Sequence, residues 1–183
     1  MTTLQFVENT IRDEWQSSIS GRPHDVGELG ADLSNNQYVR LVYESDADWS
    51  QMDLANYDYL VLRDGGDVNI IPKSFGWTEE EVVSRVDVDI RTRGHPSEGR
   101  PGRIALHGER GAGNLGANER PRWGGLAGEV ERTIKTVRKG EEEFDIINVD
   151  VIDDVSSQMG GQIWRAVVQI RFESKADVID TTP

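Results

Sequence analysis

Apolar residues recur at helical spacing from the start of the chain. Leu4, Val7, Ile11 and Trp15, with Ile19 continuing the stripe, predict one amphipathic helix over residues 4–19, ended by Gly21 and Pro23. A polar, glycine-containing connector (20–37) follows. In Tyr38-Val39-Arg40-Leu41-Val42-Tyr43, the side chains of Val39, Leu41 and Tyr43 share one face of a short strand, whereas Tyr59-Leu60-Val61-Leu62 is apolar on both faces and reads as an interior strand. Asp64-Gly65-Gly66-Asp67 supplies residues that tolerate positive φ, so a turn is expected there, with Val68-Asn69-Ile70-Ile71 returning as hairpin partner and Pro72 closing it. Residues 82–91 alternate cleanly. Val86, Val88 and Ile90 fall on one face and Arg85, Asp87, Asp89 and Arg91 on the other, the signature of a half-buried strand with a wet side.

The pattern lapses over residues 94–122. This 29-residue stretch carries seven Gly, three Pro and five Arg, with little apolar content beyond Ile104, Leu106 and Leu115. A structureless excursion of that length inside a compact domain is usually functional or disordered. Periodicity resumes in a helix over roughly 124–139, striped by Leu126, Val130, Ile134 and Val137. Glu129 and Glu131 lie toward its start and Lys135, Arg138 and Lys139 at its end, as the helix dipole favours, and Gly140 suits the position after it. Ile147, Val149 and Val151 line one face of a strand. Trp164, Ala166, Val168, Ile170 and Phe172 alternate strictly in another, joined to the first by a hairpin over 156–161. The acidic tail is expected to fray after about residue 174. Strands in groups with two helices define an α+β class: a mostly antiparallel or mixed sheet, two helices packed on one face, a long Gly/Arg-rich loop, and a single domain over 1–183.

Composition changes this picture in one respect. The chain holds 33 Asp plus Glu against 20 Lys plus Arg, a net charge of -13 on 183 residues, and only four of the cations are lysines (Lys73, Lys135, Lys139, Lys175). Such a field repels itself in dilute salt and is screened in molar salt, where the Debye length is about 3 Å. Carboxylates hold water well, while lysine stems expose methylenes. An acidic, lysine-poor, arginine-tolerant surface therefore suits a salt-filled cytoplasm and points to an extreme halophile or one of its viruses rather than to an ordinary acidic mesophilic protein. A chain of this length buries roughly 70% of its unfolded surface and needs no staple. The absence of cysteine excludes disulfides, thiolate metal sites and a Cys nucleophile. Neither a signal peptide nor a membrane span is expected.

Candidate chemistry is sparse. Gly111-Ala112-Gly113-Asn114-Leu115-Gly116 matches G-x-G-x-x-G, but no strand precedes it and the helix opens about ten residues too late to take phosphates on its N-terminus, so it reads as a flexible loop. Asp87 and Asp89 share a strand face and could hold a divalent cation; Arg85 and Arg91 flank them, which favours a solvated or arginine-paired face. Asp150, Asp153 and Asp154 invite the same two readings. His24, His95 and His107 lack the spacing of a helical metal site, and no Ser sits in a G-x-S-x-G context. No enzyme activity, catalytic residue, metal or cofactor is expected.

The anomaly is a cluster of arginines, Arg91, Arg93, Arg100, Arg103, Arg110, Arg120 and Arg122, followed by Trp123, in a chain acidic elsewhere. Phosphate binding by counterion release collapses at high salt, and no stacking aromatic precedes Trp123. Bidentate arginine–carboxylate pairs are short-ranged and survive salt better. These residues are therefore expected to form a subunit or partner interface, an arginine-bearing arm that meets an acidic surface, including that of another copy.

The strand Arg85-Val86-Asp87-Val88-Asp89-Ile90-Arg91, a loop, the segment Gly128-Glu129-Val130-Glu131-Arg132-Thr133-Ile134, then Ile147-Asn148-Val149-Asp150-Val151 and Trp164-Arg165-Ala166-Val167-Val168-Gln169-Ile170, together with the N-terminal amphipathic helix, give an order of elements that resembles the tail terminator (tail completion) proteins of long-tailed phages and archaeal tailed viruses. The resemblance covers most of the chain as an order of elements and carries no strict motif. It implies a small α+β virion subunit, assembled in the host cytoplasm, that forms a ring, usually a hexamer, at the head–tail junction. The ring caps the tail tube and joins it to the connector. Implied partners are further copies of the chain, the tail tube protein and the head–tail connector or adaptor, with viral DNA nearby in the channel and no membrane. With the halophile composition, the host would be a salt-loving archaeon. The alternatives are another head–tail adaptor or connector protein of the neck, a nucleotide- or metal-dependent enzyme, and a cellular binding module.

Overall fold

Helix α1 (Thr3–Glu14) begins where Thr2 and Gln5 cap each other: the Thr2 hydroxyl accepts from the Gln5 backbone N–H at 3.2 Å, and the Gln5 side chain accepts from the Thr2 N–H at 3.1 Å. It stops earlier than the apolar stripe predicts. Trp15 is extended, its indole N–H donating to the Gly27 carbonyl at 2.9 Å, and the next residue, Gln16, donates its backbone N–H to the Glu129 carboxylate at 2.7 Å. These partners satisfy the backbone and the ring better than another helical turn would, so Ile19 lies outside the helix. The computed structural model describes residues 2–19, 22, 25–30, 38–48, 50–72, 79–96, 100–108, 125–137, 145–154 and 163–177.

Among the described residues the remaining elements are β1 (Glu28–Leu29), β2 (Tyr38–Tyr43), a 3-10 turn (Glu44–Asp46), β3 (Tyr57–Pro72), β4 (Glu79–Thr92), β5 (Gly94–His95), β6 (Arg100–Pro101), α2 (Gly102–His107), α3 (Leu126–Val137), β7 (Asp145–Asp154) and β8 (Trp164–Asp177). Among the described residues six strands form one mixed sheet in the order β1-β2-β3-β4-β8-β7, with β1, β2 and β3 mutually parallel and the rest antiparallel. The fold is α+β. Phe6, Val7 and Ile11 of α1 and Leu126, Ala127, Val130 and Ile134 of α3 join one core cluster with Leu60, Leu62, Val86, Val88, Ile90, Val168, Ile170 and Phe172 of the sheet. Phe6 meets Phe172 edge to face, with ring centroids 5.8 Å apart. Each such side chain contributes roughly 1.5–3 kcal/mol by leaving water.

An ion cluster fixes the two long helices. Glu129 of α3 is fully buried and accepts from the Gln16 N–H, from Arg22, and from Arg132 at 2.9 Å (Nε) and 2.7 Å (Nη2). Arg22, itself almost fully buried, also donates to the Gln16 carbonyl at 2.9 Å. A buried carboxylate is tolerable only when its oxygens are satisfied in this way.

Several expectations require correction. Asp64 to Asp67 do not turn the chain. β3 runs straight on to Pro72 with an irregularity at this point, where the Asp64 side chain accepts from the Gly66 N–H at 2.8 Å and Gly66 takes φ +69°. Residues that permit a tight turn also permit a bulge, and the hairpin partner of β3 is β4, not Val68–Ile71. Residues 94–122 are not structureless throughout. β5 and β6 form a two-stranded sheet and α2 is a third helix, with Ala105 and Leu106 buried; residues 109–122 lie outside the described residues. Nor does β8 fray at 174: it pairs with β4 as far as Asp177 opposite Glu79, because β4 offers backbone partners along its whole length. Helix α3 occupies Leu126–Val137 within the expected 124–139, with Lys135 in its last turn. Arg138, Lys139, Gly140 and the expected 156–161 connection lie outside the described residues.

Candidate functional site

The two carboxylates on the side of β4 expected to be wet are buried, while Arg85 and Arg91 on that side are half-buried. Asp89 is fully buried and Asp87 is 6% exposed. Register explains why. Across β2, β3, β4 and β8 the sheet aligns Arg40, Tyr59, Arg91 and Arg165 in one row, Val42, Val61, Asp89 and Val167 in the next, and Arg63, Asp87 and Gln169 in a third; Arg85 and Arg171 form a fourth. Tyr59, Val61, Val167 and Gln169 are also buried. Asp89 thus sits between two valines and beneath arginine side chains from three strands.

Arg165 holds Asp89 in a fork, and Arg91 reaches the same two oxygens at 3.5 Å (Nε to Oδ1) and 3.3 Å (Nη2 to Oδ2). Arg63 approaches Oδ2 at 3.7 Å and bridges outward to Glu44 at 2.8 Å. Asp87 lies 3.3 Å from Arg85 and accepts from Gln169 at 3.4 Å, and Arg171 donates to Gln169 at 3.1 Å. Arg40 stacks over the Tyr57 ring at 3.8 Å. Six guanidinium groups share this face with the carboxylates of Asp87, Asp89 and Glu173, and β7 sets Asp150 and Asp153 in register with Gln169 and Val167, in a chain of net charge -13. Burial pushes the Arg91 guanidinium below its ordinary value; the charges of Arg165 and Arg63 push the same way, and the bonds to Asp89 offset only part. The arginine ends are not sealed in: the side chains of Arg63 and Arg85 are about one-third exposed, at 33% and 35%, and Arg171 is exposed. Gly65 makes room for this row, since a Cβ there would meet the Arg85 side chain and its carbonyl oxygen.

Of the arginine cluster singled out from the sequence, only Arg91 belongs to this face, whereas Arg85, Asp87 and Asp89, read there as an arginine-paired strand face, lie within it. Arg93 is exposed just after β4, Arg103 is exposed on α2, Arg100 is in β6, and Arg110, Arg120, Arg122 and Trp123 lie outside the described residues. The described members of that window occupy separate elements rather than one arm. Arg40, Arg63, Arg165 and Arg171 were missed. The signal available for two of them was the second alternation of β8, Arg165, Val167, Gln169 and Arg171, which matches the polar face of β4 in phase.

Other candidates resolve differently. His95 is buried, its Nε2 lying 3.0 Å from Asp58 Oδ2, and ties β5 to β3; the other Asp58 oxygen is buried without a hydrogen-bond partner. His24 and the G-x-G-x-x-G segment lie outside the described residues. Among the described residues no group of three or more His, Asp or Glu could hold a metal ion, and no helix is long and apolar enough to cross a membrane. The fold and this face define an acidic α+β protein with one arginine-lined sheet surface opposite its helices. No protein-family model matches the chain, and no curated protein matches it.

Proposed function

We propose that this chain is a structural virion protein that closes into a ring, a hexamer by its resemblance to tail terminators, at the head–tail junction of a long-tailed virus of a halophilic archaeon. There it caps the tail tube and meets the connector. The observation that carries the reading is the arginine-lined face on an otherwise acidic subunit. A ring forms by heterologous contact, one surface of a copy docking on a different surface of the next, and an arginine-lined face on an acidic chain is a surface unlike the rest of it. The order of elements, an N-terminal helix, a strand group, a second long helix and two closing strands, agrees with the resemblance drawn from the sequence. Arginine–carboxylate forks are short and directional, so contacts built from them persist at salt concentrations that erase long-range steering. Sedimentation at molar salt, with electron microscopy of the same sample, is the test. A closed ring that binds the ends of tail tubes is expected; single copies at every concentration, with no affinity for tube ends, would refute the reading.

A further inference from the structure

Beyond β4 the chain leaves the main sheet at Gly94 for an excursion that ends at Gly108, described at residues 94–96 and 100–108. Both glycines take positive φ, +75° and +77°, so each supplies a bend that most residues resist. β5 and β6 are two residues each and α2 is six, lengths that are marginal without support from the rest of the fold. That support is thin. Among the described residues the excursion gives the core cluster one side chain, Leu106, with Ala105 buried beside it. Gly102 rests against the Trp164 indole, α3 and Gly125 pack behind α2, and the Gly94 N–H donates to the buried Thr92 hydroxyl at 2.7 Å.

The remaining tie is polar and incomplete. His95 Nε2 lies 3.0 Å from Asp58 Oδ2, both residues are almost fully buried, and Asp58 Oδ1 is buried without a hydrogen-bond partner among the described residues. The other two deeply buried carboxylates, Asp89 and Glu129, have both oxygens bonded to guanidinium groups. Asp58 has one bond on one oxygen, so closure of the excursion leaves part of its desolvation uncompensated, and lifting it returns both oxygens to water. We propose that the segment from Gly94 to Gly108 is a strap that opens from the end of the sheet as one unit while the sheet stays folded, with Gly94 and Gly108 as its hinges and the His95–Asp58 pair as its catch. Units that open ahead of the rest of a fold are those with few buried apolar contacts. Opening uncovers Asp58 near the start of β3, Thr92 at the end of β4 and the Trp164 indole at the start of β8, and it carries Arg100 of β6 and the exposed Arg103 of α2 outward. Part of the arginine-bearing arm expected from the sequence is thus stored docked against its own subunit. The strap is a property of the single chain and stands or falls apart from the ring reading.

The chain has no cysteine, so one introduced thiol reports opening by its rate of labelling with a soluble disulfide reagent. The probes are Ala105→Cys, buried in the strap, and Val168→Cys, buried in β8. Each is labelled in the full chain at molar salt, its rate divided by that of the same thiol in urea, with circular dichroism to verify folding. Labelling of A105C roughly a hundredfold faster than V168C is expected, because the strap opens without the sheet. Equal rates would mean that position 105 is reached only when the whole chain unfolds, and would refute the strap. This first comparison needs no further variant. Two variants then test the parts. His95→Ala leaves Asp58 buried without its imidazole, and Gly94→Ala puts a Cβ into the backbone of Gly102 at a positive φ. Each should speed the labelling of A105C by roughly tenfold or more and leave V168C unchanged. A105C rates that neither variant moves, or A105C and V168C rates that rise together, would overturn the assignment of catch and hinge.

Discussion

Arg165 grips Asp89 across the β4–β8 pair through two parallel bonds, Nε to Oδ1 at 2.8 Å and Nη2 to Oδ2 at 2.7 Å, around a carboxylate with no exposed surface. Fork-to-fork geometry gives the strongest kind of charge-assisted pairing, yet the desolvation of Asp89 consumes much of that gain. The pair therefore matters most when one partner is removed. Asp89→Ala leaves Arg165, Arg91 and Arg63 crowded without their common anion, and a loss of about 3–5 kcal/mol is expected. Urea unfolding monitored by circular dichroism measures it. A loss below about 1 kcal/mol would mean that water already reaches these groups and that the buried-fork account is wrong.

Glu129 makes a parallel case on the opposite side of the sheet. Its carboxylate collects the first free N–H after α1, Arg22 from the connector and Arg132 one turn along α3. The Arg132 guanidinium is held above its ordinary value chiefly by its bond to Glu129. Glu129→Gln keeps the volume, removes the charge and turns one acceptor into a donor facing guanidinium groups. Stability should fall by roughly 3 kcal/mol, and the change should loosen the α1 end first. Hydrogen exchange checks this: faster exchange confined to residues near Gln16 and α3 fits the account, and uniform acceleration over the whole sheet does not.

The elements that depend on local pattern were legible before the fold was. The Leu4, Val7, Ile11 stripe and the alternations of β4 and β8 predict elements found in those places, because periodicity needs only the chain's own neighbours. The burial of Asp87 and Asp89 was not legible in that way. A polar alternating face reads as wet unless the residues opposite are known, and Val61, Val167, Arg63 and Gln169 come from strands whose register no single segment specifies. The same limit explains the arginine face, whose six members are spread from residue 40 to residue 171. The cluster visible in sequence, residues 91–122, contributes only Arg91. The stretch from 94 misled for another reason: its Gly and Pro density hid α2, whose burial comes from tertiary contact rather than from propensity.

One of those glycines is a packing requirement. Gly102, the first residue of α2, lies against the indole of Trp164, and a Cβ at that position would overlap Cδ1, Nε1 and Cγ of the ring. An indole held at the start of β8 cannot swing aside as a flexible side-chain end would. Gly102→Ala should therefore cost about 1–3 kcal/mol by overpacking, against the small gain alanine normally brings to a helix. Thermal unfolding gives the magnitude and the sign. An unchanged or raised Tm would show that α2 is free to shift away from β8.

Glu8 and Tyr43 couple α1 to the end of β2 and set an acid-side dependence of stability. Burial pushes the Glu8 carboxyl up, but the hydrogen bonds from Tyr43 and Arg12 outweigh it and leave the group below its ordinary value of 4.5; the same bond to Glu8 raises the Tyr43 hydroxyl. A carboxyl depressed by folding adds stability that is complete above its unfolded value and is lost as pH falls through its folded one. The contribution of this pair should therefore disappear on acidification below about 4.5, not on approach to it from neutral pH. Tyr43→Phe removes the donor. In that variant the Glu8 titration, followed by carbon NMR of the carboxyl, should move upward toward or past the ordinary value, and the stability difference from the native chain should be present at pH 7 and shrink as the pH drops below the Glu8 midpoint. A Glu8 midpoint unchanged by Tyr43→Phe would show that Arg12 alone holds the carboxylate and that the tie between α1 and β2 contributes nothing to acid resistance.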